Sequence, residues 1–516
     1  MSKQPLQVGP HKSTPYPHQR NNFTWCLNTL LSKHYLGLLM EQRTGKTWMC
    51  INLAAELYRR GLINGFLVIA PNGVHTTWVE DQIPTHLHDD TEPTVFKWRS
   101  GSMGSKVAQQ RFADFVACKG LAIFVINIDA LLIKEVRQTY LPRFMAKRAV
   151  YSVIDEALDI GNRESARADV AMKIGLRSKY RSILEGTPVA AGPLGLFSQT
   201  EFLQPGALGF TSFYAFRNRY AVFEQVRTGP DTERKVVVGF KHLDELQERL
   251  GKFCFRITRA ECTDMPPKVH DKHYFELDKE QRRIYNGLRD EYIAELNNGQ
   301  VVTADMVLTR YLRLQQVSSG FLNPGSTSET CPACAGEDPD CTTCEGYGLV
   351  VVQGEVIKVG DSNPRLDAFV ERFKKMSGQG VVWGRFKQDI DQIGAWCDAN
   401  GVQWARYDGS VKDKDKTAAR RAFEQHKVQL IVGNSKAGGR GLDLSMGNFM
   451  FYYSHEWSLR ARLQSEDRLQ NLKKKDPSLY IDLVCANTVD SKIVKALRDG
   501  KNLSDLVTGD KPEDWL

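Results

Sequence analysis

Gly45-Lys46-Thr47 lies between an apolar run, Leu36 to Leu39, and a stretch of helical pattern, Trp48 to Arg60. That order of strand, loop and helix constrains the fold more than any other feature of the chain, because it is the context of a phosphate-binding loop. The first backbone N–H groups of a helix have no acceptor within it, so they point at whatever sits above the helix start. In such a loop Thr44 and Gly45 would lend backbone groups, Lys46 would neutralise β and γ oxygens, and Thr47 would offer a hydroxyl to Mg²⁺. The usual first glycine is absent, with Met40 in its place. A loop of this kind sits at the end of a buried parallel strand, so the expected fold class is α/β.

The rest of the chain repeats the pattern. Phe66 to Ala70, Ile123 to Ile128, Val150 to Ile154 and Arg181 to Leu184 read as buried parallel strands in the first half. Val381 to Trp383, Leu430 to Val432, Phe449 to Tyr453 and Leu479 to Val484 do so in the second, with helical stretches between them. A chain of 516 residues exceeds one ordinary core. We therefore expect two parallel-sheet lobes, residues 1–191 and 364–516, with helical insertions and linker over 192–363 and a small metal module near 328–350. A net charge of +8 permits a polyanionic partner without demanding one. The longest apolar stretch, Leu121 to Leu132, is interrupted by Asn127 and Asp129, so no membrane span is expected. The polar first residues lack a secretory h-region, so a cytoplasmic, reducing setting is expected, with cysteines as thiols or metal ligands.

Val150 to Ile154 ends in Asp155-Glu156. An acid pair at the exit of a strand can divide two tasks, the aspartate holding Mg²⁺ and the glutamate polarising the attacking water. Alone, such a pair is also a common strand exit; its distance in sequence from Lys46 is what gives it weight.

Taken in order, these residues resemble the motifs of superfamily-two helicases, and specifically the Swi/Snf branch of double-stranded DNA translocases, with two RecA-like lobes. Pro17-His18-Gln19 resembles the adenine-reading Q motif, which implies that Gln19 bonds the base. Met40 to Thr47 resembles motif I, although Arg43 stands where related motors often carry glycine. Ile69-Ala70-Pro71 with Trp78 and Glu80 is similar to motif Ia, Asp155-Glu156-Ala157-Leu158 to the DEAH box, and Gly186-Thr187-Pro188 to motif III. In the second half Tyr407-Asp408-Gly409-Ser410, with Arg421 and Phe423, resembles the remodeller pattern after motif IV. Ser435 to Leu444 matches motif V nearly position for position, with Asp443 replacing asparagine, and implies that Gly439, Gly441 and Asp443 border the nucleotide. Gln464 to Arg468 resembles motif VI, which implies Gln464 near the nucleotide and Arg468 as a transition-state cation. The family's second arginine is here Asn471, leaving Arg468 alone or supplemented by Arg460, Arg462 or Lys473.

The resemblance implies an ATP- and Mg²⁺-dependent hydrolase, a compact bacterial or viral type of motor, moving along duplex or branched DNA as a monomer. Backbone contacts are expected around Asn72 to Trp78 and Ser435 to Lys436, with Arg310 to Gln316 a candidate helical protrusion. A strand-separating DNA or RNA helicase is the first alternative. A nucleic-acid scaffold with a decayed ATPase, suggested by Arg43, Leu158 and Asn471, is the second.

Four of the eleven cysteines, Cys331, Cys334, Cys341 and Cys344, form two paired hooks six residues apart. Four thiolates at this spacing suit one tetrahedral structural Zn²⁺, whose binding would supply folding energy that a segment so poor in apolar residues lacks.

Overall fold

The computed structural model describes residues 8–99, 105–186, 193–229, 232–262, 267–297, 304–323, 326–330, 349–353, 355–438, 442–470, 474 and 476–500. The chain forms two compact units. The first takes three stretches, Met1–Pro267, Gly438–Ser445 and Leu463–Asp476; the second takes Lys268–Ala437, Met446–Arg462 and Pro477–Leu516.

The first unit is built on strands β1 (Tyr35–Met40), β2 (Gly65–Ala70), β3 (Thr94–Lys97), β4 (Ala122–Asn127), β5 (Val150–Asp155), β6 (Tyr180–Leu184) and, after an antiparallel hairpin of β7 (Ala221–Gly229) and β8 (Thr232–Phe240), β9 (Cys254–Ile257). Their order is β3-β4-β2-β5-β6-β1-β9, and every pairing is parallel. Both faces are buried. Leu67 and Ile69 belong to one apolar cluster, while Phe66, Val68 and Ala70, alternating with them, belong to another. This two-sided burial explains why the strands read as unbroken apolar runs.

The second unit carries a parallel sheet ordered β10-β19-β18-β15-β17-β16. Its strands are β10 (Lys268–Phe275), β15 (Gly380–Trp383), β16 (Trp404–Tyr407), β17 (Leu430–Gly433), β18 (Phe449–Tyr452) and β19 (Ser478–Cys485). Two small antiparallel pairs accompany it, β11 (Phe321–Leu322) with β14 (Ile357–Lys358) and β12 (Ser326–Thr330) with β13 (Leu349–Gln353).

The expected break at residue 191 is too early for the sheets. Strand β9 lies against β1 in the first sheet, and β10 pairs along its whole length with β19 in the second. Both are edge strands, and no residue of β10 is fully buried, so the strand lacks the continuous apolar signature. The helix Ala304–Ser318 is not a free protrusion either, since Gln315 is buried and bonded to the His455 carbonyl, Arg385 and Trp457. Among the described residues no helix is long and apolar enough to cross a membrane.

Candidate nucleotide site

Strand β1 delivers the chain to a tight loop, Glu41 to Gly45, and helix α2 (Lys46–Arg59) leaves it. Gly45 caps α2 at φ 86°, a region costly for any residue with a Cβ. A Cβ there would also stand 2.1 Å from the Gln19 amide nitrogen. Helix α1 (Pro17–Lys33) braces the loop from below: His18 Nε2 lies 2.7 Å from the Thr44 carbonyl, and Gln19 Nε2 donates to the Gly45 carbonyl at 3.1 Å. Gln19 Oε1 meanwhile accepts from the Tyr16 N–H at 2.8 Å. Both ends of the Gln19 amide are thus engaged with backbone, at the start of α1 and at the loop.

Lys46 is buried, and its ammonium donates to the carbonyls of Met40 at 2.9 Å and Glu41 at 3.4 Å. Opposite stands Gly186, where an added Cβ would lie 3.1 Å from Lys46 Nζ. Beside both, the buried Gln42 side chain holds an amide nitrogen with no partner among the described residues. Thr44 is buried and its hydroxyl donates to the Glu41 carbonyl, whereas Thr47, in the first turn of α2, is partly exposed.

Strand β5 ends on Asp155. Its Oδ2 accepts from the Trp78 indole N–H at 2.8 Å, and its Oδ1 accepts from the Glu156 N–H at 3.0 Å. Burial first, and the adjacent Glu156 charge second, push the Asp155 carboxyl up to about 6, against the opposing pull of Trp78 and Lys46. Glu156 turns the chain with φ 55°, and its Oε2 accepts from Gln464 Nε2 at 3.1 Å. Glu185, fully buried at the end of β6, accepts the Leu158 N–H at 2.8 Å and so ties the turn after the acid pair to the segment leading to Gly186.

The late-sequence stretches of the first unit reach the same place. Arg43, in the loop itself with φ 68°, extends to Asp443 Oδ1 at 3.3 Å, to the Leu442 carbonyl at 3.4 Å and to the Asp467 carbonyl at 3.3 Å. Arg259 bridges Glu41 and the Asp467 carboxylate. Burial first, then the charge of Arg43, bring the Arg468 guanidinium down to about 10, with Glu156, Asp467 and Asp443 acting in the opposite sense. Gln19, Thr44, Gly45, Lys46, Thr47, Asp155, Glu156, Asp443, Gln464 and Arg468 therefore all lie in the first unit. Gly439, Gly441, Thr187, Pro188, Asn471, Lys473 and the four clustered cysteines lie outside the described residues.

Two readings need correction. Trp78 is 1% exposed and faces Asp155, so it is no surface contact. Arg462 cannot stand in for a second motif VI cation: it is buried in the second unit, bonded to Asp482 and stacked 3.4 Å from the Tyr452 ring. Arg43, read from the sequence as a departure from the family, is joined to another departure, Asp443. The sequence offered no sign of that contact, because 400 residues separate the two. Glu185 also went unnoticed, since a lone acid before a glycine has no distinguishing pattern.

A parallel sheet that sets a lysine-bearing loop against the acid pair of a neighbouring strand, followed by a second parallel-sheet unit, defines a nucleotide-binding motor core of helicase type. The chain belongs to the SNF2-related family: the SNF2-related domain matches residues 18–320, and the helicase conserved C-terminal domain matches residues 364–472. Among similar proteins is a human "SWI/SNF-related matrix-associated actin-dependent regulator of chromatin subfamily A member 1", 23% identical over 488 residues, 91% of this chain and 42% of that protein. Another is the Saccharomyces cerevisiae "ISWI chromatin-remodeling complex ATPase ISW2", 22% identical over 93% of this chain and 40% of that protein. The chain thus spans about two fifths of the length of these two relatives. A solved structure of the Sulfolobus solfataricus SWI2/SNF2 ATPase core in complex with dsDNA is 19% identical, with 99% of this chain and 98% of that chain covered at a TM-score of 0.41.

Proposed function

We propose that this chain hydrolyses ATP and uses the reaction to move along duplex or branched DNA. The observation that carries the reading is a linked set in the first unit: the charge of Lys46 acts on Asp155, and the adjacent Glu156 accepts from Gln464 and acts on Arg468. The residues suit a triphosphate with its cation. A buried ammonium resting on carbonyls and a buried amide nitrogen without a partner are donors suited to phosphate oxygens. Two adjoining carboxylates, one of them held up to about 6, would gain from a divalent cation.

Thr47 and Asp155 would hold Mg²⁺, which when bound shields phosphate charge. Lys46 binds the β and γ oxygens, and the N–H groups at the start of α2 add their partial positive charge. Glu156 orients a water and takes its proton as the water oxygen bonds to the γ-phosphorus. The bond from that phosphorus to the bridging oxygen breaks, and ADP and inorganic phosphate result. Arg468 stabilises the charge that develops on the γ-phosphoryl oxygens. Gln464, already bonded to Glu156, carries the state of this site to the late-sequence segments. Relatives named as a regulator of chromatin and as a chromatin-remodeling complex ATPase support duplex DNA as the track. Such a track is gripped through phosphates, so stimulation should fall steeply with salt.

Steady-state hydrolysis with no nucleic acid, duplex DNA, single-stranded DNA or RNA tests the reading, with Lys46→Ala as control. Strong stimulation by duplex DNA, lost in the variant, is expected. Stimulation by single strands or RNA alone would favour a strand-separating helicase, and absence of hydrolysis would favour a scaffold.

A structural Zn²⁺ on Cys331, Cys334, Cys341 and Cys344 is a second proposal. Pairing of Thr330 with Leu349 in the β12–β13 ribbon supports it, since the cysteine-bearing stretch begins and ends on neighbouring strands.

A further inference from the structure

Arg43 is the one residue of the phosphate loop whose presence works against the loop. Its φ of 68° lies in the left-handed region, which suits glycine and strains a residue with a Cβ. Its charge is also poorly placed, because it lies near enough to Arg468 to disfavour that guanidinium's protonated form. The contacts that hold it are at the long end for hydrogen bonds: 3.3 Å to Asp443 Oδ1, 3.4 Å to the Leu442 carbonyl and 3.3 Å to the Asp467 carbonyl. Asp467 itself is answered by Arg259, so its carboxylate does not account for Arg43. Arg43 reaches from the loop to the carbonyl of Asp467, and Arg468 is the next residue, so two guanidinium-bearing side chains meet in one part of the first unit, with Glu156 in electrostatic reach of Arg468. Close like charges persist where an anion is to be bound between them.

We propose that Arg43 is a second cation for the γ-phosphate, released from its long contacts with Asp443 and the two carbonyls when a triphosphate enters, and acting with Arg468 on the charge that develops there. The inference rests on the ATPase reading above. It explains how a chain with Asn471 in motif VI still presents two arginines: the second comes from the loop side of the site, within the same unit as Arg468.

The test is binding, measured by calorimetry on the full chain with Mg²⁺, of ADP alone and of ADP with aluminium fluoride, for the wild type and for Arg43→Gly. Glycine suits the φ at this position, so the variant should fold, with a melting temperature equal to or above that of the wild type. The wild type should bind the fluoride complex far more tightly than ADP. Arg43→Gly should keep ADP affinity within about threefold and lose on the order of 100-fold for the fluoride complex. Equal losses for both ligands would make Arg43 a packing residue of the loop, and no loss for either would make it a bystander; either result overturns the proposal. Failure of the wild type to bind either ligand would instead overturn the ATPase reading itself. Arg43→Ala repeats the comparison with the φ cost retained, and the same selective loss is expected.

Discussion

Burial takes from Asp155 part of its tendency to ionise, and Trp78 gives some of it back. With its carboxyl pushed up to about 6 from an ordinary value near 4, chiefly by desolvation and then by Glu156, the folded chain without metal binds a proton more tightly than the unfolded chain. That contribution to stability is fully present below pH about 4 and is lost as pH rises through about 6. Asp155→Asn should therefore raise the melting temperature of the metal-free protein at pH 7 and flatten this part of its pH profile. Trp78→Phe keeps most of the packing and removes the N–H that favours the carboxylate. It should cost about 1–3 kcal/mol above pH 6 and move the upper end of the window to higher pH, as read from urea unfolding at a series of pH values. A downward movement would show that the indole does not stabilise the charged form. At this scale the sequence was informative where residue type and chemistry coincide, as with Lys46 and Asp155. It was silent where a partner lies far along the chain, as with Trp78 and Asp155 or Arg43 and Asp443.

Elements were legible in proportion to their burial. The central strands β2, β4, β5, β6, β15, β17, β18 and β19 all fall within one or two residues of the expected runs, because both their faces are covered. Strands β3, β9, β10 and β16 lie at or next to sheet edges, and their mixed exposure gives neither a continuous apolar run nor a clean alternation. The second unit adds a device that periodicity cannot reveal. Arg365, with no exposed surface, donates to Asp490 at 2.6 Å, to the Tyr453 carbonyl and to Ser318 through both its carbonyl and its hydroxyl. It thereby joins the helices Pro364–Phe373, Ala304–Ser318 and Val489–Arg498 to the end of β18. Arg365→Met alone strands a buried carboxylate and should cost about 3–5 kcal/mol. Arg365→Met with Asp490→Leu should cost far less than the two single changes summed, as measured by urea unfolding. Strict additivity would refute the coupling.

For the whole molecule, two parallel-sheet units were expected and are found, but the division of the chain between them was not legible. The first unit takes back Gly438–Ser445 and Leu463–Asp476 from the later half, a result of tertiary contacts alone. The zinc proposal belongs to this scale, because a metal module joined through the β12–β13 ribbon would fold on its own account. Metal analysis should find about one zinc per chain. Cys341→Ser with Cys344→Ser should abolish it while leaving basal ATP hydrolysis within about twofold, since a local metal-coupled fold need not reach the motor core. Zinc retained at full stoichiometry in that variant would rule out the four-cysteine site.

The placement of β9 beside β1 has a consequence for how the protein is made. The strand that leads into the phosphate loop acquires its outer neighbour only when Cys254–Ile257 has been synthesised, more than two hundred residues after Met40. At ordinary elongation rates that is a wait on the order of 10–40 s. Through it a nascent chain carries the loop on a sheet whose β1 edge is open, a surface that invites pairing with other strands. Gln464 and Arg468 emerge later still, so the ribosome finishes the carboxylates and the lysine of this site well before the residues that complete it.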